Sequence, residues 1–189
     1  MRSEPACDNT GDDQSMTLSV CLMLDTSAQR AVLQLWRRLE DAGTPTLLSH
    51  THGRHLPHLT LTSLRSWDDE AVEHELSQLP TPSSQVVHFD ALGMFRRSRC
   101  WLVPAPTDEL LRQQRAVFEA ARRSGADNHQ HYVPGRWVPH LTLAPRLHLA
   151  DLSTVAGLVY DVLPLEATLS TITLIDTSTG AQHRLMPRN

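Results

Sequence analysis

Two eight-residue segments, 82 residues apart, constrain this chain more than any other feature. Arg54-His-Leu-Pro-His-Leu-Thr-Leu61 and Arg136-Trp-Val-Pro-His-Leu-Thr-Leu143 agree at six of eight positions. Flanking positions agree too, with Leu22 matching Leu102 and Leu92 matching Ile172 at an offset of 80. We read this as an internal duplication, which in a chain of 189 residues gives one domain of two similar lobes. The repeat halves run over about residues 16–96 and 97–189, with 16–189 as a single bilobal domain. Residues 1–15 are polar and acidic and read as a disordered tail.

The hydropathy pattern gives each half the order β-α-β-β-α-β. Residues 17–24 form an apolar strand; Asp25, Thr26 and Ser27 then offer N-caps to a helix with Val32, Leu35, Trp36 and Leu39 on one face, closed by Gly43. Leu47-Leu48 and then 58–62 read as extended, 68–79 as a helix and 86–95 as a strand. The second half repeats this with a strand at 100–103, a helix capped by Thr107 and ended by Gly125, and extended segments at 129–133 and 140–144. A helix at 151–162, a strand at 165–175 and a short strand at 182–186 complete it. The expected class is α+β: two antiparallel sheets with outer helices around a central cleft.

In a strand, residues i and i+2 point the same way. His58 and Thr60 therefore share one face and Leu59 and Leu61 the other; His140 and Thr142 stand in the same relation to Leu141 and Leu143. With the leucines packed beneath, each lobe presents one imidazole and one hydroxyl. Across a pseudo-two-fold axis the two pairs meet in one cleft. Imidazole titrates near neutral pH, so one ring can take a proton from water while the other donates to a leaving oxygen. Threonine hydroxyls can donate to non-bridging phosphate oxygens. That is a constellation for phosphodiester hydrolysis needing no metal or cofactor. A single His-x-Thr is usually no more than a half-exposed strand; the second copy in matching context tips the balance toward function.

Other residues are weaker candidates. Arg54 and Arg136 precede their histidines by four residues, a separation of ~13 Å along a strand, so they suit neighbouring phosphates or plain solvation. Tyr132 is a candidate substrate contact. With Trp137, Phe95 and Trp101 it can stack on a base or simply pack in the core. His50, His52, His55 and His58 hint at zinc, but no cysteine or carboxylate accompanies them and the second half lacks the cluster, so no metal is expected.

At Pro57-His-Leu-Thr-Leu61 and Pro139-His-Leu-Thr-Leu143 the chain resembles the two-histidine (2H) phosphoesterase superfamily, and within it the bacterial 2'-5' RNA ligase-like proteins. The resemblance covers about residues 16–187. It implies His58 and His140 as an acid/base pair, with Thr60 and Thr142 holding the phosphate. The implied substrate is an RNA end or nucleotide with a 2',3'-cyclic phosphate, or a related 2'-5' linkage. Some members of the superfamily also join RNA ends reversibly, and others only bind nucleotides, which is the alternative for this chain.

Composition narrows the rest. All 17 basic residues are arginine, which removes P-loop, Schiff-base and lysine-adenylate chemistry. The formal net charge of −4 argues against a broadly basic nucleic-acid coat protein. Tandem RNA-recognition domains would fit the element order, but no aromatic-rich Lys/Arg-Gly-Phe strand is present. Cys7, Cys21 and Cys100 are odd in number and lack metal spacing. With no signal-peptide pattern and no apolar run near about 18 residues, the expectation is a cytoplasmic monomer with free thiols and no membrane span.

Overall fold

The computed structural model describes residues 17–96 and 98–185. The expected tail at 1–15, Cys7 and the end of the last expected strand at Met186 lie outside the described residues. Among the described residues eleven α-helices and strands follow in order: β1 (Leu18–Leu24), α1 (Thr26–Asp41), β2 (His58–Leu64), α2 (Asp69–Ser77), β3 (Gln85–Met94), β4 (Cys100–Pro104), α3 (Asp108–Arg123), β5 (Leu141–Ala144), α4 (Leu152–Tyr160), β6 (Leu165–Asp176) and β7 (Gln182–Arg184). Each half therefore reads β-α-β-α-β, not the β-α-β-β-α-β expected. The stretch around Leu47-Leu48 is a turn, because one carboxylate oxygen of Glu40 accepts from the Thr46 and Ser49 amides at 3.2 and 3.1 Å and from their hydroxyls at 2.8 and 2.7 Å. Residues 130–132 form one 3-10 turn, capped by the His129 ring accepting from the His131 amide.

The strands form one antiparallel sheet in the order β2-β1-β6-β3-β4-β5, with β7 on β6. The two separate sheets expected from the sequence are thus joined. The cause is strand length: β6 has 12 residues and serves two sets of neighbours. Its first part, from Leu165 to Leu169, pairs with β3; its remainder pairs with β1 and β7. Likewise β3 pairs with β6 through Gln85–Phe89 and with β4 from Phe89 onward. From this shared segment the sheet divides into one lobe of β2, β1, the later part of β6 and β7, and another of β5, β4 and the later part of β3.

The two motif-bearing pairs are built to one register. Val20, Cys21 and Leu22 lie opposite Thr62, Thr60 and Leu59; Cys100, Trp101 and Leu102 lie opposite Ala144, Thr142 and Leu141. Each motif strand skips one residue, Leu61 or Leu143, as a bulge. On the other flank, Leu22 pairs with Ile172 and Leu102 with Leu92.

The motif leucines carry the packing. Leu59, Leu61, Leu141 and Leu143 are fully buried, each worth roughly 1.5–3 kcal/mol against exposure. The apolar faces of α1 (Val32, Leu35, Trp36, Leu39) and α3 (Leu110, Val117, Phe118, Ala121) cover the sheet. Asp25 joins helix to sheet. One of its oxygens caps α1 through the Ser27 and Ala28 amides at 2.9 and 3.1 Å, and the other accepts from the Thr168 amide of β6 at 2.7 Å. Among the described residues no helix is long and apolar enough to cross a membrane.

An edge strand leaves main-chain groups unpaired. The outer edge of β2 is occupied by residues from the second half. The His129 amide donates to Ser63 O at 2.8 Å, and Leu64 bridges Asn128. The buried amide of Gln114 donates to Leu61 O and Tyr132 O at 3.2 and 2.7 Å, and the Trp137 indole donates to Thr60 O at 3.1 Å. These bonds hold the chain leading into β5 against β2.

Candidate active site

His58 opens β2 and His140 stands immediately before β5. Each follows a proline, which has no amide hydrogen and a fixed φ. In both places the chain turns so that the carbonyl two residues back faces the imidazole. Nδ1 of His58 lies 2.6 Å from Leu56 O, and Nδ1 of His140 lies 2.7 Å from Val138 O. A carbonyl only accepts, so Nδ1 carries the hydrogen and Nε2 is left as the basic nitrogen of each neutral ring. The two rings share an electrostatic environment. Burial holds both below the ordinary imidazole pKa, against the opposing pull of the carbonyls; at His140 the charges of His58 and Arg99 lower it further.

The residues around each motif differ. Phe95 stacks on Trp101 with ring centroids 4.9 Å apart, and both stand steeply inclined to the His140 ring at 5.1 and 5.9 Å. This requires Gly93: a Cβ there would meet the Trp101 ring at 2.5 Å. The Trp101 indole N–H has no acceptor among the described residues. In the other lobe Cys21 takes the place of Trp101, its sulfur 3.7 Å from the Thr60 hydroxyl. Burial pushes the Cys21 thiol up to about 12 and the Cys100 thiol to about 11, so neither is a nucleophile at neutral pH. The phenol of Tyr132 is set toward Thr60, and burial above all pushes it up to about 12, keeping it protonated.

The structure therefore gathers His58, Thr60, Tyr132 and His140, with Thr142 two residues along from His140 and paired with Trp101. Arg54 and Arg136 are exposed, and their charges are not among those that move either imidazole. Arg99 fills that role: its charge reaches His140, Tyr132 and His129. The repeat gives no hint of it; the signal is the arginine-rich run of Arg96, Arg97 and Arg99 before β4. Of the aromatic residues, Trp137 is a buried brace on Thr60, while Phe95 and Trp101 frame His140. His50, His52 and His55 pack ring against ring, with centroids 6.1 Å apart for His50 and His55 and 4.1 Å for His52 and His55. No group of three or more histidine, cysteine or carboxylate side chains among the described residues is placed to hold a metal ion.

A sequence profile described as the 2'-5' RNA ligase superfamily matches residues 24–181. No curated protein matches the chain by sequence. A crystal structure described as a phosphoesterase is similar with a TM-score of 0.59 and 18% identity, over 93% of this chain and 97% of that one. E. coli LigT, solved with 3'-AMP, is similar with a TM-score of 0.59 and 16% identity, over 92% and 95%. The MHV ns2 PDE domain is similar with a TM-score of 0.52 and 16% identity, over 90% and 97%.

Proposed function

This chain belongs to the 2'-5' RNA ligase superfamily, and from that premise we propose that it hydrolyses a 2',3'-cyclic phosphate, or a related 2'-5' phosphodiester, on an RNA end or nucleotide. The observation that carries this reading is the matched pair of Nδ1 bonds at His58 and His140. Both rings are locked in the tautomer that leaves Nε2 for proton transfer. A binding module has no need to fix the tautomer twice.

One imidazole, neutral, accepts a proton from water as the water oxygen bonds to phosphorus. The other, protonated, gives its proton to the ribose oxygen as the P–O bond breaks. The products are a phosphate monoester and a free hydroxyl, and the pair has exchanged its proton between rings. The anionic phosphate between the rings favours protonation of one of them, against the burial that disfavours it. Thr60 and Thr142 donate to the non-bridging oxygens, with the protonated phenol of Tyr132 beside Thr60. With a ribose 5'-hydroxyl in place of water, the same proton transfers open the cyclic phosphate onto that oxygen and join two RNA ends through a 2'-5' linkage. No step calls for a metal or ATP, and the acting unit is a monomer.

The test is a substrate panel with purified protein in EDTA: 2',3'-cyclic mononucleotides, cyclic-ended RNA, 2'-5' dinucleotides and ADP-ribose cyclic phosphate. Turnover of at least one, unchanged by chelator, is expected. Activity that vanishes with EDTA and returns with a divalent ion would overturn the two-histidine mechanism. Nucleotide binding with no turnover across the panel would favour the binding-module alternative.

A further inference from the structure

We propose that Arg65, His129 and His131 form a track for the phosphodiester backbone of a single-stranded oligonucleotide, next to the scissile phosphate. This rests on the phosphodiesterase reading of the site and names the form of its substrate.

The chain is acidic, with 21 carboxylates against 17 arginines. Yet the charges of His131, Arg65 and Arg99 all bear on His129, with Asp127 the opposing carboxylate. Asp127 lies 3.5 Å from Arg65, and both side chains are about half exposed, so the pair is weak and the guanidinium retains donors for a phosphate. The rings of His129 and His131 are stacked with centroids 4.8 Å apart. Stacked rings set among cations suit an unpaired base and its phosphate.

The cluster is preformed. Besides the His129 bond to Ser63, the Arg65 amide donates to Asp127 O at 2.9 Å, and the Thr62 hydroxyl donates to Asn128 Oδ1 at 2.6 Å. It is also continuous with the candidate site. The His129 ring lies 6.2 Å from that of Tyr132, which is set toward Thr60, and the charge of Arg99 bears on His129, Tyr132 and His140. A mononucleoside cyclic phosphate has one phosphate, which Thr60 and Thr142 take up. Arg65, with donors beyond its weak pair with Asp127, is then placed for the phosphate that follows.

The test uses the full chain and two readouts. In the first, fluorescence anisotropy follows a 5'-fluorescein hexauridylate with a 3'-phosphate, and 3'-UMP is the competitor. With two backbone phosphates held, hexamer affinity should fall about sevenfold between roughly 50 and 200 mM salt, and Arg65→Gln should lower the log–log slope by about 0.7. His131→Asn should weaken hexamer binding as well. Neither change should alter 3'-UMP affinity or thermal melting. In the second readout, hydrolysis of uridine 2',3'-cyclic phosphate should be the same in Arg65→Gln as in wild type, while kcat/KM on the cyclic-ended hexamer falls. Equal affinity and equal salt slope for hexamer and 3'-UMP would overturn the track while leaving the phosphodiesterase reading intact. Tight, salt-dependent hexamer binding without turnover of either cyclic substrate would overturn the phosphodiesterase reading instead.

Discussion

The carbonyl of Leu56 holds the Nδ1–H of His58 at 2.6 Å, across the intervening Pro57. With the equivalent bond at His140, it makes the two rings interchangeable in form, each neutral ring a base at Nε2 and each charged ring an acid there. His58→Ala and His140→Ala should therefore each lower kcat by roughly 10²–10⁴. The double variant should lose less than the product of the two, because the rings act as a unit. Thr60→Ala and Thr142→Ala should cost less, since a neutral hydroxyl donor contributes about 0.5–1.5 kcal/mol. A histidine variant that melts normally and turns over at the wild-type rate would remove that ring from the mechanism.

Gly93 is the contact surface for Trp101, and the ring is buried. Gly93→Ala forces the indole aside or strains the strand, at about 1–3 kcal/mol. Its melting temperature and kcat/KM should fall together, because Trp101 and Phe95 frame His140. Trp101→Phe gives up an N–H that has no acceptor among the described residues, and should cost less in both. A Gly93→Ala protein as stable as wild type would show that the ring is not seated as described.

Acid should weaken the fold through the same two histidines proposed as the acid and base. His58 and His140 are held below the ordinary imidazole pKa, first of all by burial. The unfolded chain, near about 6.5, binds those protons at a higher pH than the folded one. Stability is thus full above that value and falls as the pH drops below it. His55, lowered to about 4 mainly by burial, and His129 act in the same direction. Melting temperature should therefore decline from pH 7 to 5, and less steeply in the His58→Gln/His140→Gln variant. Identical slopes would show that neither ring resists protonation in the fold.

Asp25 closes three amide bonds at once. Burial alone would raise its pKa; the bonds from Thr168, Ala28 and Ser27 together bring it below the usual carboxylate value. Asp25→Ala should cost about 1–3 kcal/mol, combining a lost cap with a half-buried amide left unpaired. Asp25→Ser restores the cap but is too short for Thr168, and should recover part of the loss. Equal melting of both variants would mean the bond to β6 contributes nothing.

What the sequence disclosed depended on repetition and period. The matching placement of His58 and Thr60 on β2 and of His140 and Thr142 at β5 was legible because the same strand pattern recurs in both halves, and the helical faces of α1 and α3 because Trp36 or Val117 falls at the right spacing. The single sheet was not legible: a run such as Leu165–Asp176 shows that a strand is long, not that its two ends have different neighbours. Nor were the turn gathered around Glu40 or the position of Arg99. Both depend on side chains meeting after the chain has folded, and neither leaves a period to read.

The exchange of last strands has a consequence for the halves taken separately. β3, made by the first half, lies beside β4 of the second; β6, made by the second, lies beside β1 of the first. A piece of the chain ending after Met94 would have β1 with no inner neighbour and β3 with nowhere to lie. The repeat in the sequence is thus not a tandem of two independent folding units but a reciprocal loan. A lone half has one route to a closed lobe, which is to trade its final strand with another copy of itself, and the two imidazoles of such a dimer would then come from separate molecules.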